Sequence, residues 1–94
     1  MTAYWIARVK VSDPEAYGEY VKRVPAAVEK FGGRFLARGG RVECLEGEAF
    51  PRNVVIEFPD FETAVACYHS PEYQEAKAFA EGAAERDIII LEGS

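Results

Sequence analysis

Histidine is the side chain best suited to moving protons near neutral pH, and this chain holds one, His69. It stands just before Ser70-Pro71, where a helix pattern ends. A histidine there can serve as a general base or as an axial metal ligand at the mouth of a pocket. It can equally be a last-turn residue that favours the negative end of the helix dipole. Glu57 follows Ile56 and precedes Phe58-Pro59, a carboxylate set among apolar strand residues. Burial would raise its pKa and fit it for acid–base work. The plainer reading is an ion pair with Arg8, Arg38 or Arg52, and the residue type alone favours that reading. Arg38, beside Gly39-Gly40, can grip a carboxylate through its two-pronged guanidinium or pair with Glu43 or Glu57. Tyr17, Tyr20, Tyr68 and Tyr73 recur at helical spacing, which usually marks core or pocket wall, and each phenol adds a polar handle for a ligand.

Other chemistries lack their residues. Cys44 and Cys67 have no C-x-x-C spacing and read as small apolar side chains. With His69 they do not form a zinc ligand set. One histidine so placed does not support a Ser-His-Asp arrangement. Gly32-Gly33 and Gly39-Gly40 lack the patterns of phosphate loops. No cofactor is implied. The net charge of -5 argues against nucleic acid and anionic lipid as partners. No apolar run nears the roughly 18 residues of a membrane span. The chain opens directly on a strand pattern, and with reduced thiols this leads us to expect a cytoplasmic protein.

The elements that would position these residues are legible in order. The 94 residues allow one domain, 1–94, and 49% of them are hydrophobic, enough for one core. Tyr4 to Val11 alternates as a strand, with Trp5, Ala7, Val9 and Val11 on one face and Tyr4, Ile6, Arg8 and Lys10 on the other. Asp13-Pro14-Glu15 starts a helix carrying Tyr17, Tyr20, Val21, Val24, Val28 and Phe31 inward, with a kink expected at Pro25 and an end at Gly32-Gly33. Arg34 to Arg38 is a second strand, and Arg41 to Glu46 continues it beyond a bend. Asn53 to Phe58 is a third. Asp60 caps a helix with Phe61, Ala64, Val65 and Tyr68 inward. Pro71 begins another that reaches about Gly82, with Tyr73, Ala76, Phe79, Ala80 and Ala83 inward. Asp87 to Glu92 is apolar on both faces, which suggests a central strand.

This order is βαββαβ, the ferredoxin-like α+β arrangement: an antiparallel sheet with helices on one face. The other face would hold Tyr4, Ile6, Arg8, Leu36, Arg38, Val55, Glu57 and alternate residues of the last strand. So much apolar surface is best covered by a second copy, so a homodimer is expected.

Four stretches, VSDPEAYGEY at 11–20, FGGRFLARGG at 31–40, LEGEAFPRNVVIEFPDFETA at 45–64 and CYHSPEYQEAK at 67–77, resemble the bacterial family called domain of unknown function 1330, of the dimeric α+β-barrel superfamily. The resemblance runs through nearly the whole chain. It implies a ferredoxin-like subunit, a homodimeric barrel and ligands held between sheet and helices, and it names no substrate. Members often carry Trp-Tyr where this chain has Cys67-Tyr68, which would leave a larger or differently shaped pocket here. Two functions are therefore expected. One is a small-molecule-binding homodimer, as a cofactor-independent enzyme acting on a small aromatic or acidic metabolite, with His69 and Glu57 as catalytic candidates and Tyr17, Arg38 and Tyr68 binding the ligand. The other is a non-catalytic dimeric module that binds a ligand or only assembles.

Overall fold

The computed structural model describes residues 1–94. Its elements are β1 (Ala3–Val11), α1 (Pro14–Lys30), β2 (Arg34–Arg38), β3 (Arg52–Phe58), α2 (Phe61–His69), α3 (Pro71–Ala80) and β4 (Ala84–Glu92). The four strands form one antiparallel sheet in the order β2-β3-β1-β4. This is the ferredoxin-like arrangement expected from the element order.

Local chemistry sets the helix boundaries. The Asp13 side chain accepts a hydrogen bond from the Ala16 amide, and Pro14 occupies the first turn of α1, where its missing N–H costs nothing. The helix then runs unbroken past Pro25 to Lys30. Gly32, at φ +74°, reverses the chain in a conformation that side chains with a Cβ resist. Asp60 caps α2 through the Thr63 amide. Ser70 joins α2 to α3: its hydroxyl donates to the Cys67 carbonyl at 2.7 Å and accepts from the Tyr73 amide at 3.1 Å.

The core lies between the helices and one face of the sheet. Trp5 is at its centre, stacked on Phe58 at 6.0 Å between ring centroids and edge-on to Tyr73 at 4.9 Å. Ala7, Val9, Val54, Ile56 and Phe58 complete the sheet side, with Tyr17, Val24, Ala27, Val28, Ala64, Cys67, Tyr73 and Ala76 opposite.

Four local expectations are corrected. Arg41 to Glu46 forms no strand; residues 39–51 are a loop, held by Arg8 donating to the Glu48 carbonyl, by the Lys10–Glu48 ion pair, and by Phe50 buried beneath both cations. Phe79 faces outward, because Arg23 of α1 stacks on its ring at 4.2 Å and covers it there. Strand β4 lies at the sheet edge, not the centre, and begins at Ala84. It is apolar on both sides because Ile88 and Ile90 pack on the helices while Ile89 and Leu91 lie on the helix-free face. Arg38 is on the helix-covered face. Phe35 pairs with Ile56 but Ala37 with Val55, so a bulge at Leu36 shifts the alternation and brings Arg38 opposite Val54.

Candidate functional site: an aromatic cleft and an edge groove

Two concavities open from the helix-covered face, at opposite edges of the sheet. The first lies under α1 beside β2, β3 and β1. Trp5, Tyr17, Tyr20, Val24, Phe35 and Ile56 form its walls, and Arg38 and Arg52 are its charged members. Its enclosed volume is about 30 Å³, room for about one or two waters, so a larger guest must displace side chains. The Arg38 guanidinium stacks on Phe35 at 4.1 Å. None of the ion pairs in the structure uses Arg38 or Arg52. The expected pairing of Arg38 with Glu43 or Glu57 is therefore absent, and the bulge explains it: Glu57 is on the other face.

The second concavity is an open groove of about 560 Å³ along β4, bordered by α2 and α3. Phe61, Val65, Tyr68, Ile88 and Ile90 supply its apolar wall, and Lys77, Arg86 and His69 its polar members. His69 is exposed in the last turn of α2 and lies edge-on to Tyr68, 5.2 Å between ring centroids.

An aromatic cluster separates the two spaces. The Tyr20 and Tyr73 hydroxyls are 3.0 Å apart and share a hydrogen bond. Tyr68 packs against both Trp5 and Tyr73. Burial raises the pKa of both Tyr20 and Tyr73, which keeps them as neutral phenols. Arg86 donates to the Tyr73 hydroxyl at 3.4 Å, and its guanidinium lies 4.8 Å above the Tyr20 ring.

The sequence-derived candidates thus fall in three places. Tyr17 and Arg38 share the cleft, Tyr68 and His69 share the groove, and Glu57 is on the opposite face. Glu57 pairs there with Arg34 at 3.0 Å, rather than with Arg8, Arg38 or Arg52. No shared Glu57–His69 centre exists within one subunit. Cys67 lines neither concavity. It is fully buried, its thiol directed at the Ala27 carbonyl, and burial pushes its pKa from 9.0 to about 11. The larger pocket expected beside Cys67 is not part of either concavity. No group of three His, Cys, Asp or Glu side chains is arranged to hold a metal ion, and no helix is long and apolar enough to cross a membrane.

Sequence reasoning passed over Lys77 and Arg86, and named Arg52 only as a partner for Glu57. For Arg86 a signal was present: alternation counted backward from Ile90 and Ile88 puts residue 86 on the helix side, alone among charged neighbours.

Comparison with solved structures supports the same architecture. The chain matches a protein of unknown function from Rhodopseudomonas palustris at 22% identity, over 99% of this chain and 82% of that one, with a TM-score of 0.75. A dimeric ferredoxin-like protein of unknown function from Bacteroides fragilis matches at 15% identity, over 98% and 96% of the two chains, with a TM-score of 0.67. SnoaB, a cofactor-independent oxygenase from Streptomyces nogalater, matches at 10% identity, over 99% and 93%, with a TM-score of 0.70. At these identities the likeness establishes the fold alone. No curated protein matches the chain. The model of the family "Domain of unknown function (DUF1330)" matches residues 2–94, and the chain belongs to that family.

Proposed function

We propose that this protein is a homodimer that binds a small aromatic or acidic molecule in the cleft under α1. The observation that carries this reading is the pairing of an aromatic wall with two guanidiniums, Arg38 and Arg52, that no carboxylate of the chain neutralises. An aromatic ring placed among Trp5, Tyr17, Tyr20 and Phe35 would gain apolar burial and ring contacts. Its acidic substituent would meet Arg38 and Arg52, whose planar forks suit a carboxylate. The Tyr17 and Tyr20 phenols would offer the remaining polar contacts. The small enclosed volume points to a guest that opens the cleft by moving Phe35 and the Arg38 stacked on it.

The cleft holds no carboxylate, imidazole or thiol. A reaction carried out there would therefore rest on positioning and on cationic stabilisation of developing negative charge, without a covalent nucleophile. That is compatible with a cofactor-independent enzyme, the description carried by the Streptomyces nogalater protein of the same fold. The absence of a carboxylate, imidazole or thiol in the cleft favours the non-catalytic binding form of this reading.

The test is a thermal-shift titration with benzoate, salicylate and neutral benzamide at fixed ionic strength. The aromatic acids should raise the midpoint with concentration, as mass action requires, and benzamide should not. Arg38→Met with Arg52→Met should diminish the rise while leaving the unliganded midpoint within a few degrees. An undiminished rise in the double variant would refute the cleft as the binding site.

A further inference from the structure

Arg86 is a partly buried cation that no carboxylate of the chain pairs with. Its two neighbours on β4 are acidic, yet alternation turns both away from it. Asp87 faces Arg8 across the helix-free surface at 4.0 Å, and Glu85 faces Lys10 at 4.0 Å. Arg86 projects to the helix side, where it has no ion pair. Its Nη1 is shut off from solvent and has no acceptor, and its bond to Tyr73 is long at 3.4 Å. A guanidinium carries five donors, and removing one from water without an anion costs stability. The ring of Tyr20 offsets part of that cost and supplies no negative charge.

The same side chain lines the groove along β4, together with Lys77 and His69. No carboxylate borders that groove, although the chain as a whole carries a net charge of -5. Glu81 reaches only the Lys77 ammonium, at 3.2 Å, from the exposed end of α3. The rest of the wall is apolar: Phe61, Val65, Ile88 and Ile90.

We infer that this groove is a second anion site, which takes a carboxylate carried on an apolar body, with the carboxylate between Arg86 and Lys77 and the body along Phe61, Val65 and Ile88. It is separate from the Arg38–Arg52 cleft, on the other side of the Trp5–Tyr73 aromatic cluster, and it does not depend on that cleft being occupied. The carboxylate supplies the acceptor that Arg86 lacks. A bare inorganic anion would meet the cations and forgo the apolar contact, so the site should prefer an alkyl or aryl carboxylate to phosphate.

The experiment measures hexanoate and inorganic phosphate binding by calorimetry and thermal shift, with chloride holding the ionic strength constant. The full chain should bind hexanoate more tightly than phosphate and gain midpoint with concentration. Lys77→Met should weaken hexanoate about tenfold and Arg86→Lys by about tenfold or more, since a point charge replaces the fork. Arg86→Met should abolish binding, and its unliganded midpoint should stay within a few degrees of the parent, because the partly buried charge that is removed had no ion pair to lose. Arg38→Met with Arg52→Met should leave hexanoate affinity unchanged, which separates this site from the cleft. Three results would overturn the inference: no response to hexanoate, undiminished binding in folded Arg86→Lys, or hexanoate affinity lost with Arg38 and Arg52. If Arg86→Met fails to fold, Arg86→Lys and Lys77→Met still decide the question.

Discussion

Cys67 shows most plainly how a single residue changes the account of the site. Its side chain is sealed between α1 and the sheet, with the Ala27 carbonyl against its thiol. Interiors are packed densely enough that a larger ring cannot enter without moving its neighbours. Cys67→Trp should therefore cost about 1–3 kcal/mol or more in urea unfolding. An unchanged midpoint would show that space beside Cys67 exists after all. The same burial predicts an alkaline dependence. The unfolded thiol loses its proton from pH 9.0 upward, and the folded one resists to about pH 11. The stabilising difference is complete below pH 9 and disappears as pH rises through about 11. The buried phenols of Tyr20 and Tyr73, whose pKa values are also raised, act in the same direction. The thermal midpoint should accordingly fall between pH 9 and 11, and Cys67→Ala should flatten that fall without removing it. A parent protein whose midpoint does not change over this window would contradict the assignment.

Among the elements, the α2–α3 junction depends on one hydroxyl. Ser70 is buried, its hydroxyl donates to the Cys67 carbonyl of α2 and accepts from the Tyr73 amide of α3. Ser70→Ala leaves the Tyr73 amide without its acceptor away from water, while the Cys67 carbonyl keeps only the bond from the residue 70 backbone N–H. It should cost about 1–2 kcal/mol in urea unfolding, and a change within error would mean that water substitutes there. This junction aims Tyr73 into the core and leaves Tyr68 and His69 beside β4, so it sets the shape of the groove. On the opposite edge, the bulge at Leu36 does the equivalent for the cleft, since without it Arg38 would be on the helix-free face with Glu57. Each candidate site is thus built by a local irregularity in an otherwise regular fold.

For the whole molecule, the helix-free face of the sheet is the dominant unpartnered surface. Ile89 is 55% and Leu91 54% exposed there, on an edge strand that also offers free backbone groups. Ile6, Val55 and Tyr4 continue the patch, and Leu36 adds to it from β2. A second copy laid face to face would cover it with matching chemistry, and two solved proteins of this fold are described as dimeric. Light scattering should therefore give a dimeric mass at micromolar concentration. Ile89→Glu should shift it to the monomer, weakening association by about a hundredfold or more, because an unpaired carboxylate would be buried in the contact. A parent monomer, or an Ile89→Glu dimer of unchanged affinity, would exclude this face as the interface.

The sequence by itself determined the element order, the helix caps at Asp13 and Asp60, the helix break at Ser70-Pro71, the inward faces of β1 and β3, and the family. These depend on short-range rules: alternation with a period of two, helical spacing, and capping chemistry within three residues. It also determined which residue types were available for chemistry, and Tyr17, Arg38, Tyr68 and His69 do border concavities. What only the tertiary structure decided was their company. A one-residue bulge, which no local pattern announced, reversed the face of Arg38. Pairing across the sheet moved β4 to an edge and exposed an apolar run that resembled a central strand. Residues far apart in the chain then grouped by position in the sheet, so that Glu57 went to Arg34, Arg38 to Phe35, and Arg86 to a groove with Lys77. Sequence neighbours share an element, but a site is shared across elements, and strand register and sheet order set that sharing.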